Sequence, residues 1–276
     1  MSFIIVSDSS SDILSLDTVA FNSVPLKITT DVKEYVDSAE LDVCGMLSDL
    51  AKYKGRSRSA CPGIGEYLAV FGDAEYIFCV TITSGLSGSF NAARGAANQY
   101  MEEHPERRVH VIDSLSTGPE NALLIEKLRE LILSGETYDS IVEKITEYHN
   151  HTRLIFALES LHNLANNGRV SPLVAKLSGV LGIRIVGRAS EEGTLEIIEK
   201  SRGTKKMLDD IIKNMAADGF TGGRVKIHHA DNEETALELR DKIFDKYPDA
   251  RVDVAAARGL CSFYAERGGL LVGFEV

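Results

Sequence analysis

The chain has 276 residues and a formal net charge of −11 at pH 7. This acidic balance argues against a nucleic-acid or anionic-membrane surface, because both partners require a basic face. The length allows two domains with substantial cores, and the charged and apolar fractions are those of an ordinary globular protein.

The first twelve residues, MSFIIVSDSSSD, contain an apolar run of four residues followed by an acidic, serine-rich turn. They predict neither a signal peptide nor a membrane-spanning segment, and we expect a cytoplasmic protein. No CxxC spacing relates Cys44, Cys61, Cys79 and Cys261. We therefore expect free, buried thiols. The seven histidines show no metal-ligand spacing, so we predict no metal and no cofactor.

Strands and helices alternate through the first part of the chain. A strand at residues 3–6 ends in the polar turn and leads into an amphipathic segment at 13–19, which we predict to be a helix. Further strands are predicted at 24–29, 76–82 and 108–112, and helices at 41–53, 64–71, from 90 onward, 119–133 and 138–149, with a loop at 54–63. This alternation favours an α/β domain with a parallel sheet.

The second part of the chain has a different pattern. It contains a strand at 153–157, a short helix at 158–166, a run at 181–186 and a hairpin at 188–202. A helix at 205–217, a strand at 224–228, a helix at 233–246 and strands at 251–255 and 270–274 follow. We predict two domains, residues 1–156 and 157–276.

The stretch at residues 76–97 is the most informative. A buried strand runs into the hydroxyl-rich turn at 83–89, and a helix follows. Such a turn directs hydroxyls and unpaired helical N–H groups to one point, which predicts a site for a carboxylate or a phosphate. Ser84, Ser87 and Ser89 are also suited to capping the helix. A nucleophile elbow fits less well, because Ser89 stands where the second glycine belongs.

Six segments in order resemble the DegV family, whose fatty-acid-binding members are the FakB proteins of bacterial fatty acid kinase. They are IIVSDSSSDI, VPL with YVD, SACPGIGEYL, TSGLSGSFNAA, VIDSLSTGPENALL and NNGRVS. The resemblance covers essentially the whole chain. It implies a two-lobed α/β fold, an N-terminal domain with a parallel sheet and a C-terminal domain with a mixed sheet, and a ligand tunnel between them.

The resemblance also implies a function. One long-chain fatty acid would lie in a closed apolar tunnel, with its carboxylate held by hydroxyls. A separate fatty acid kinase subunit would phosphorylate that carboxylate, so the binding protein itself would have no catalytic residue. Carried over by position, the carboxylate-binding residues are Ser59, Ser87, Ser84 and Tyr264, and the supporting basic residues are Arg169 and Arg202.

The chain departs from the family pattern near its C-terminus. The family motif there is His-Thr-Gly-x-Gly, and the matching segment begins with Tyr264. A tyrosine can donate a hydrogen bond but carries no positive charge at neutral pH. We predict an apolar tunnel lining from both domains, with contributions from Phe90, Ile64, Phe156, Leu173, Leu177 and Leu181.

Two other functions remain open from the residues alone. One is binding of another acidic or phosphorylated small metabolite, because the head-group donors would be similar. The other is a serine hydrolase or transferase with Ser87 as nucleophile. That enzyme would need a base, and the available histidines, His228 and His229, lie in a distant predicted strand.

Overall fold

The computed structural model describes residues 2–171, 173 and 182–276. Leu177 and Leu181, both predicted to line a tunnel, lie outside these residues. The described strands are β1 Phe3–Asp8, β2 Ala20–Val24, β3 Lys27–Thr29, β4 Glu34–Val36, β5 Arg58–Ala60, β6 Tyr76–Thr81, β7 Arg108–Asp113, β8 Thr152–Leu158, β9 Ile183–Ala189, β10 Leu195–Arg202, β11 Arg224–His229, β12 Arg251–Ala256 and β13 Leu270–Glu275.

The described α-helices are α1 Val43–Lys52, α2 Ile64–Phe71, α3 Ser89–Glu103, α4 Pro119–Leu133, α5 Tyr138–Asn150, α6 His162–Asn166, α7 Thr204–Ala217, α8 Glu233–Lys246 and α9 Gly259–Ala265. A single 3₁₀ turn, Ser9–Ser11, follows β1 directly. Within the described ranges, no helix combines the length and the apolar character needed to cross a membrane.

The first sheet is parallel throughout, as predicted. Its strand order is β2-β1-β6-β7. Alternate residues of β1 and β6 face opposite sides, so Val6 and Cys79 pack toward α2 and α3, whereas Ile5 and Phe78 pack toward α4 and α5. Burial on both faces explains the continuous apolar runs in these strands.

The second sheet is mixed, with strand order β10-β9-β8-β13-β11-β12. Only the β11 and β12 pair is parallel. Along β8, Ile155 and Ala157 pack into a core beneath α7 and α8. Leu154, Phe156 and Leu158 point to the opposite face, toward α6 and α9. One face of this sheet therefore forms a core of its own, and the other faces the first domain.

A third, small sheet was not predicted. It is antiparallel, with order β4-β3-β5. The strand predicted at 24–29 is two strands in different sheets, because Pro25 has no N–H to continue a ladder. The loop predicted at 54–63 contains β5, which pairs Ser59 with Ile28. This sheet brings Ser59 beside α9.

The helix predicted at 13–19 is wrong. Asp12 and Thr18 have φ angles of 61° and 74°, which lie in the left-handed region and interrupt any right-handed helix. Ile13 and Leu16 of this irregular segment still pack on the core between the parallel sheet and α4 and α5, and Val19 is buried there, whereas Leu14 is exposed. The spacing of these apolar residues therefore indicates that one side of the segment is buried, and it does not indicate a helix.

The division at residue 156 stays a prediction. Phe156 lies inside β8, which belongs to the second sheet. We propose that the boundary between the two domains lies nearer Thr152, at the start of that strand.

Candidate functional site

A cavity lies between the parallel sheet and the mixed sheet. Its lining consists of Leu26, Ser59, Ile82, Leu86, Ser87, Thr117, Leu154, Phe156, Leu158, Leu164, Arg169, Leu195, Leu260, Cys261, Tyr264, Ala265 and Leu271. Leu154 and Leu158 both line it and are four residues apart on β8, so the cavity extends for at least about 13 Å along that strand.

The cavity is narrow as well as long. All space free of protein atoms along it, including the solvent at its open end, amounts to about 650 Å³. Its enclosed cavity volume is about 70 Å³. The larger value also counts the solvent at the open end and the narrow gaps between side chains, so the enclosed part of the cavity is narrow. A linear chain suits this shape better than a ring system.

The side-chain polar groups of the lining come together from different elements. The Ser59 Oγ, in the middle of β5, lies 2.6 Å from the Tyr264 Oη, near the end of α9. One hydroxyl of this pair donates to the other, which leaves one O–H of the pair available to a ligand. The pairing joins residues 205 positions apart in the chain and depends on the small antiparallel sheet.

Arg169 lies beside this pair. Its guanidinium lies 5.8 Å from the centre of the Tyr264 ring. Its Nε donates to the carbonyl of Leu86 at 3.1 Å, and its Nη1 donates to the carbonyl of Asn167. The arginine therefore holds a positive charge between the turn at 83–89 and the ring of Tyr264.

Ser87 enters the cavity from the turn before α3. Its Oγ accepts a hydrogen bond from the Ser89 N–H at 3.2 Å, so its own O–H can still donate. The turn is held from below by Asp8, whose Oδ2 accepts from the Ile82 N–H at 3.0 Å and from the Ser89 Oγ at 2.6 Å. Both ends of the segment that carries Ser87 are thus fixed to one buried carboxylate.

The protonation state of the site follows from burial. Burial raises the pKa of the Tyr264 hydroxyl above its ordinary value, so this group stays a neutral donor. These groups form a set of donors suited to a single anion. The set consists of one O–H from the Ser59 and Tyr264 pair, the O–H of Ser87 and the charged guanidinium of Arg169. The remaining wall is almost entirely apolar.

Two predicted site residues lie elsewhere. Ser84 is exposed and does not line the cavity, and its N–H donates to Asp113 Oδ1 at 2.9 Å. Arg202 is exposed at the end of β10. The structure brings together the other four, Ser59, Ser87, Tyr264 and Arg169. The assignment of any of these residues to ligand binding stays a prediction.

The predicted apolar lining is only partly in place. Phe156 lines the cavity, whereas Ile64, Phe90 and Leu173 do not. Ile64 and Leu173 are 44% and 75% exposed. Residues that the sequence reading missed include the alternating leucines of β8 and the α9 residue Cys261. In the sequence, residues 154–158 form a continuous apolar run, which predicts a strand buried on both faces but does not distinguish the face that lines the cavity from the face that packs beneath α7 and α8.

The histidines do not form a catalytic group with Ser87. His228 Nδ1 lies 2.7 Å from Asp12 Oδ2, and His229 Nδ1 accepts from the Asn232 N–H at 3.2 Å. Among the described residues, no cluster of three or more His, Cys, Asp or Glu side chains is arranged to hold a metal ion.

The expectation of buried thiols holds for half of the cysteines. All four are free, and Cys79 and Cys261 are buried. Cys44 and Cys61 are exposed, which corrects the prediction for these two. Cys44 lies in the first turn of α1, and Cys61 follows β5 in the approach to α2, so neither enters a core.

Comparisons with known proteins agree with this architecture. A DegV domain-containing protein of Streptococcus pneumoniae (strain ATCC BAA-255 / R6) is 44% identical over 280 residues, with both chains covered completely. A DegV family protein from Eubacterium eligens, crystallised with heptadecanoic acid, is 46% identical, with a TM-score of 0.98 over 100% of both chains.

A second solved structure is equally similar. The Fatty Acid Kinase (Fak) B3 protein of Streptococcus pneumoniae, loaded with linoleic acid, is 43% identical, with a TM-score of 0.98 and 100% of each chain covered. The family model described as "Uncharacterised protein, DegV family" matches residues 2–275. The chain belongs to the DegV family.

Proposed function

We propose that this protein binds one long-chain fatty acid in the cavity between its two sheets. The observation that carries the proposal is a long, narrow, apolar cavity with hydroxyls and one arginine grouped in its wall. Two proteins of the same fold, at 46% and 43% identity, were crystallised with heptadecanoic and linoleic acid. We place the carboxylate of the ligand among Ser59, Ser87 and Tyr264, beside Arg169.

The acyl chain is the main source of affinity in this proposal. Burial contributes about 0.8 kcal/mol per CH₂, so a chain of about sixteen carbons gains roughly 12 kcal/mol before the costs of association. The head group contributes less, but it fixes orientation, because a buried carboxylate without donors would be very costly. Ser84 and Arg202 are not part of this carboxylate site, since neither lines the cavity.

The protein would act as a carrier, not as an enzyme. The described hydrogen bonds place no histidine at Ser87, so a serine nucleophile would lack a base. We propose that the bound carboxylate is presented to a fatty acid kinase subunit, in keeping with the similarity to the Fak B3 protein. We also infer a cytoplasmic location, because two exposed free thiols, Cys44 and Cys61, suit a reducing compartment.

A variant that fills the cavity tests the proposal. Leu158→Phe adds volume to a buried wall residue, and Leu133→Phe adds the same volume at a position that is 54% exposed. We expect delipidated Leu158→Phe to bind palmitate at least tenfold more weakly than the wild-type chain by isothermal titration calorimetry. Leu133→Phe should bind normally. Equal affinities for a folded Leu158→Phe and the control would place the ligand elsewhere.

A further inference from the structure

Helix α9 supplies four residues of the cavity wall, and residues of the N-terminal part of the chain contact its first turn. Leu260, Cys261, Tyr264 and Ala265 of this helix all line the cavity. The helix is short, and Arg258 at its N-cap makes no side-chain cap hydrogen bond. Its first N–H groups therefore need acceptors from elsewhere.

Two carboxylates provide those acceptors. Asp37 Oδ1 accepts from the Gly259 N–H at 2.7 Å, and Asp37 Oδ2 accepts from the Leu260 N–H at 2.8 Å. Asp12 Oδ1 accepts from the Arg258 N–H at 2.8 Å. Three consecutive N–H groups at the start of α9 are thus held by residues more than 200 positions earlier in the chain.

The approach between Asp37 and α9 is close enough to require glycine. A Cβ at Gly259 would lie 2.6 Å from Asp37 Oδ1 and 2.5 Å from Leu41 Cδ2. A Cβ there would displace the Asp37 carboxylate from the helix N–H groups and shift the Leu41 side chain. The local sequence thus provides both the acceptor, in the Tyr35-Val36-Asp37 segment, and the small residue that lets it reach the backbone.

Both carboxylates are buried and surrounded by few other charged groups. Asp37 and the Asp12 side chain are each 1% exposed. Asp12 also meets His228, and the guanidinium of Arg258 donates to the carbonyl of Ser38. Burial raises the pKa of Asp37 to about 6, a free-energy cost that the two hydrogen bonds to α9 partly offset.

We propose that Asp37, supported by Asp12, is a positioning residue that holds Tyr264 in place for the ligand carboxylate. This inference rests on the proposed function. The start of α9 is bound to Asp37, and Tyr264 lies five residues later in the same short helix. The Ser59 Oγ and Tyr264 Oη are 2.6 Å apart, a separation that tolerates only small shifts of the helix.

A double-mutant cycle tests the coupling directly. Asp37→Asn keeps the size of the side chain but can accept through one oxygen only. We expect it to weaken oleate binding to the delipidated chain about tenfold, the usual contribution of one charged hydrogen bond. In a Tyr264→Phe background, the same substitution should change affinity less than threefold, because the hydroxyl that it positions is already absent.

A matched control separates positioning from general helix capping. Asp42 Oδ1 accepts from the Gly45 N–H at 2.9 Å and so caps α1, which contributes no residue to the cavity lining. Asp42→Asn should leave oleate affinity unchanged within twofold. A tenfold loss in this control would show that any lost cap weakens binding, and it would overturn the inference.

The outcomes distinguish the inference from the function on which it rests. If wild-type protein binds oleate and the effects of Asp37→Asn and Tyr264→Phe are additive, the positioning role is overturned and the binding function stands. If wild-type protein binds no fatty acid, the proposed function is overturned. If Asp37→Asn does not fold, Asp12→Asn takes its place in the cycle. We then expect about threefold weaker binding, and no loss in the Tyr264→Phe background.

Discussion

Two hydroxyl-rich turns follow adjacent strands of the parallel sheet, and only one of them lines the cavity. In the turn after β1, Ser10 Oγ donates to Asp8 Oδ1 at 2.5 Å, and Ser9 Oγ accepts from the Leu26 N–H at 3.0 Å. Both serines are buried. In the turn after β6, Ser87 is half-buried and faces the cavity. Two turns of similar composition therefore have different roles. The serines of the first turn stabilise the backbone around them, whereas Ser87 of the second turn lines the cavity.

The two turns are also connected. Asp8 belongs to the first turn but accepts hydrogen bonds from Ile82 and Ser89, on either side of Ser87. The Tyr67 Oη lies 2.7 Å from the Ser89 Oγ and extends the network into α2. Hydrogen bonds to Asp8 thus hold the second turn in its conformation. Whether a serine binds a ligand depends on which partners its hydroxyl already has.

The largest expected effect is on folding stability, from the loss of Asp8, which ends β1 and caps the first turn. Asp8→Ala leaves the buried N–H groups of Ser10 and Ile82 without their acceptor, and we expect unfolding free energy to fall by about 3 kcal/mol in urea titrations. Asp113→Ala is the matched control in a half-buried position, where water can replace the carboxylate, with about 1 kcal/mol expected. Equal losses would contradict the supporting role of Asp8.

The next effect is on binding, from the second turn. Ser87→Ala should weaken oleate affinity about tenfold, or about 1.4 kcal/mol, because one donor to the carboxylate is lost. Its stability should change little, since the Ser87 hydroxyl accepts only a weak bond from Ser89. Ser10→Ala removes a hydroxyl from the first turn, and its oleate affinity should stay within threefold of wild type. Isothermal titration calorimetry on the delipidated variants measures both oleate affinities. A larger loss for Ser10→Ala than for Ser87→Ala would refute the distinction between the turns.

A smaller effect concerns pH. The pKa of Asp37 is raised to about 6, so the folded chain binds this proton more tightly than the unfolded chain. Wild-type unfolding free energy, compared with that of Asp37→Asn, should therefore rise by about 1 kcal/mol as pH falls from 7 to 5. Denaturant titrations at both pH values measure the difference. The unfolding free energy of the wild type minus that of Asp37→Asn is the quantity to compare. If this value stays constant or falls between pH 7 and pH 5, Asp37 is not a buried carboxylate of raised pKa.

The smallest expected effect is at Ser84. This serine belongs to the second turn, but it is exposed and outside the cavity lining. Its backbone N–H, which binds Asp113, is unaffected by loss of the side chain. Ser84→Ala should change oleate affinity less than twofold in the same calorimetric assay. A loss as large as that of Ser87→Ala would extend the carboxylate site beyond the cavity.

Much of the fold was predictable because continuous apolar runs mark the buried strands, and glycine or proline stands at the helix ends. Helices α2 and α4 begin and end at the predicted residues, and the parallel sheet follows from the buried runs in β1 and β6. The mixed sheet followed from the family resemblance. The short strands β4 and β5 escaped prediction, and β3 was not separated from β2, because three residues are too few to establish a period.

The candidate site was predictable in part. The resemblance selected Ser59, Ser87, Tyr264 and Arg169, and the structure brings these together. It could not show that Ser84 points away from the cavity, because side-chain direction in a turn depends on backbone angles that composition does not specify. Nor could it reveal Asp37 as a cap for α9, because that contact joins segments more than 200 residues apart.

The central claim is that the cavity holds an acyl chain, and mass spectrometry tests it most directly. The freshly purified protein is measured intact under native conditions, and an organic extract of the same sample is analysed in parallel. We predict a stoichiometric fatty acid of about fourteen to eighteen carbons, the size class of the heptadecanoic and linoleic acids held by the two similar structures. An empty protein that also fails to bind added oleate or palmitate would contradict the claim.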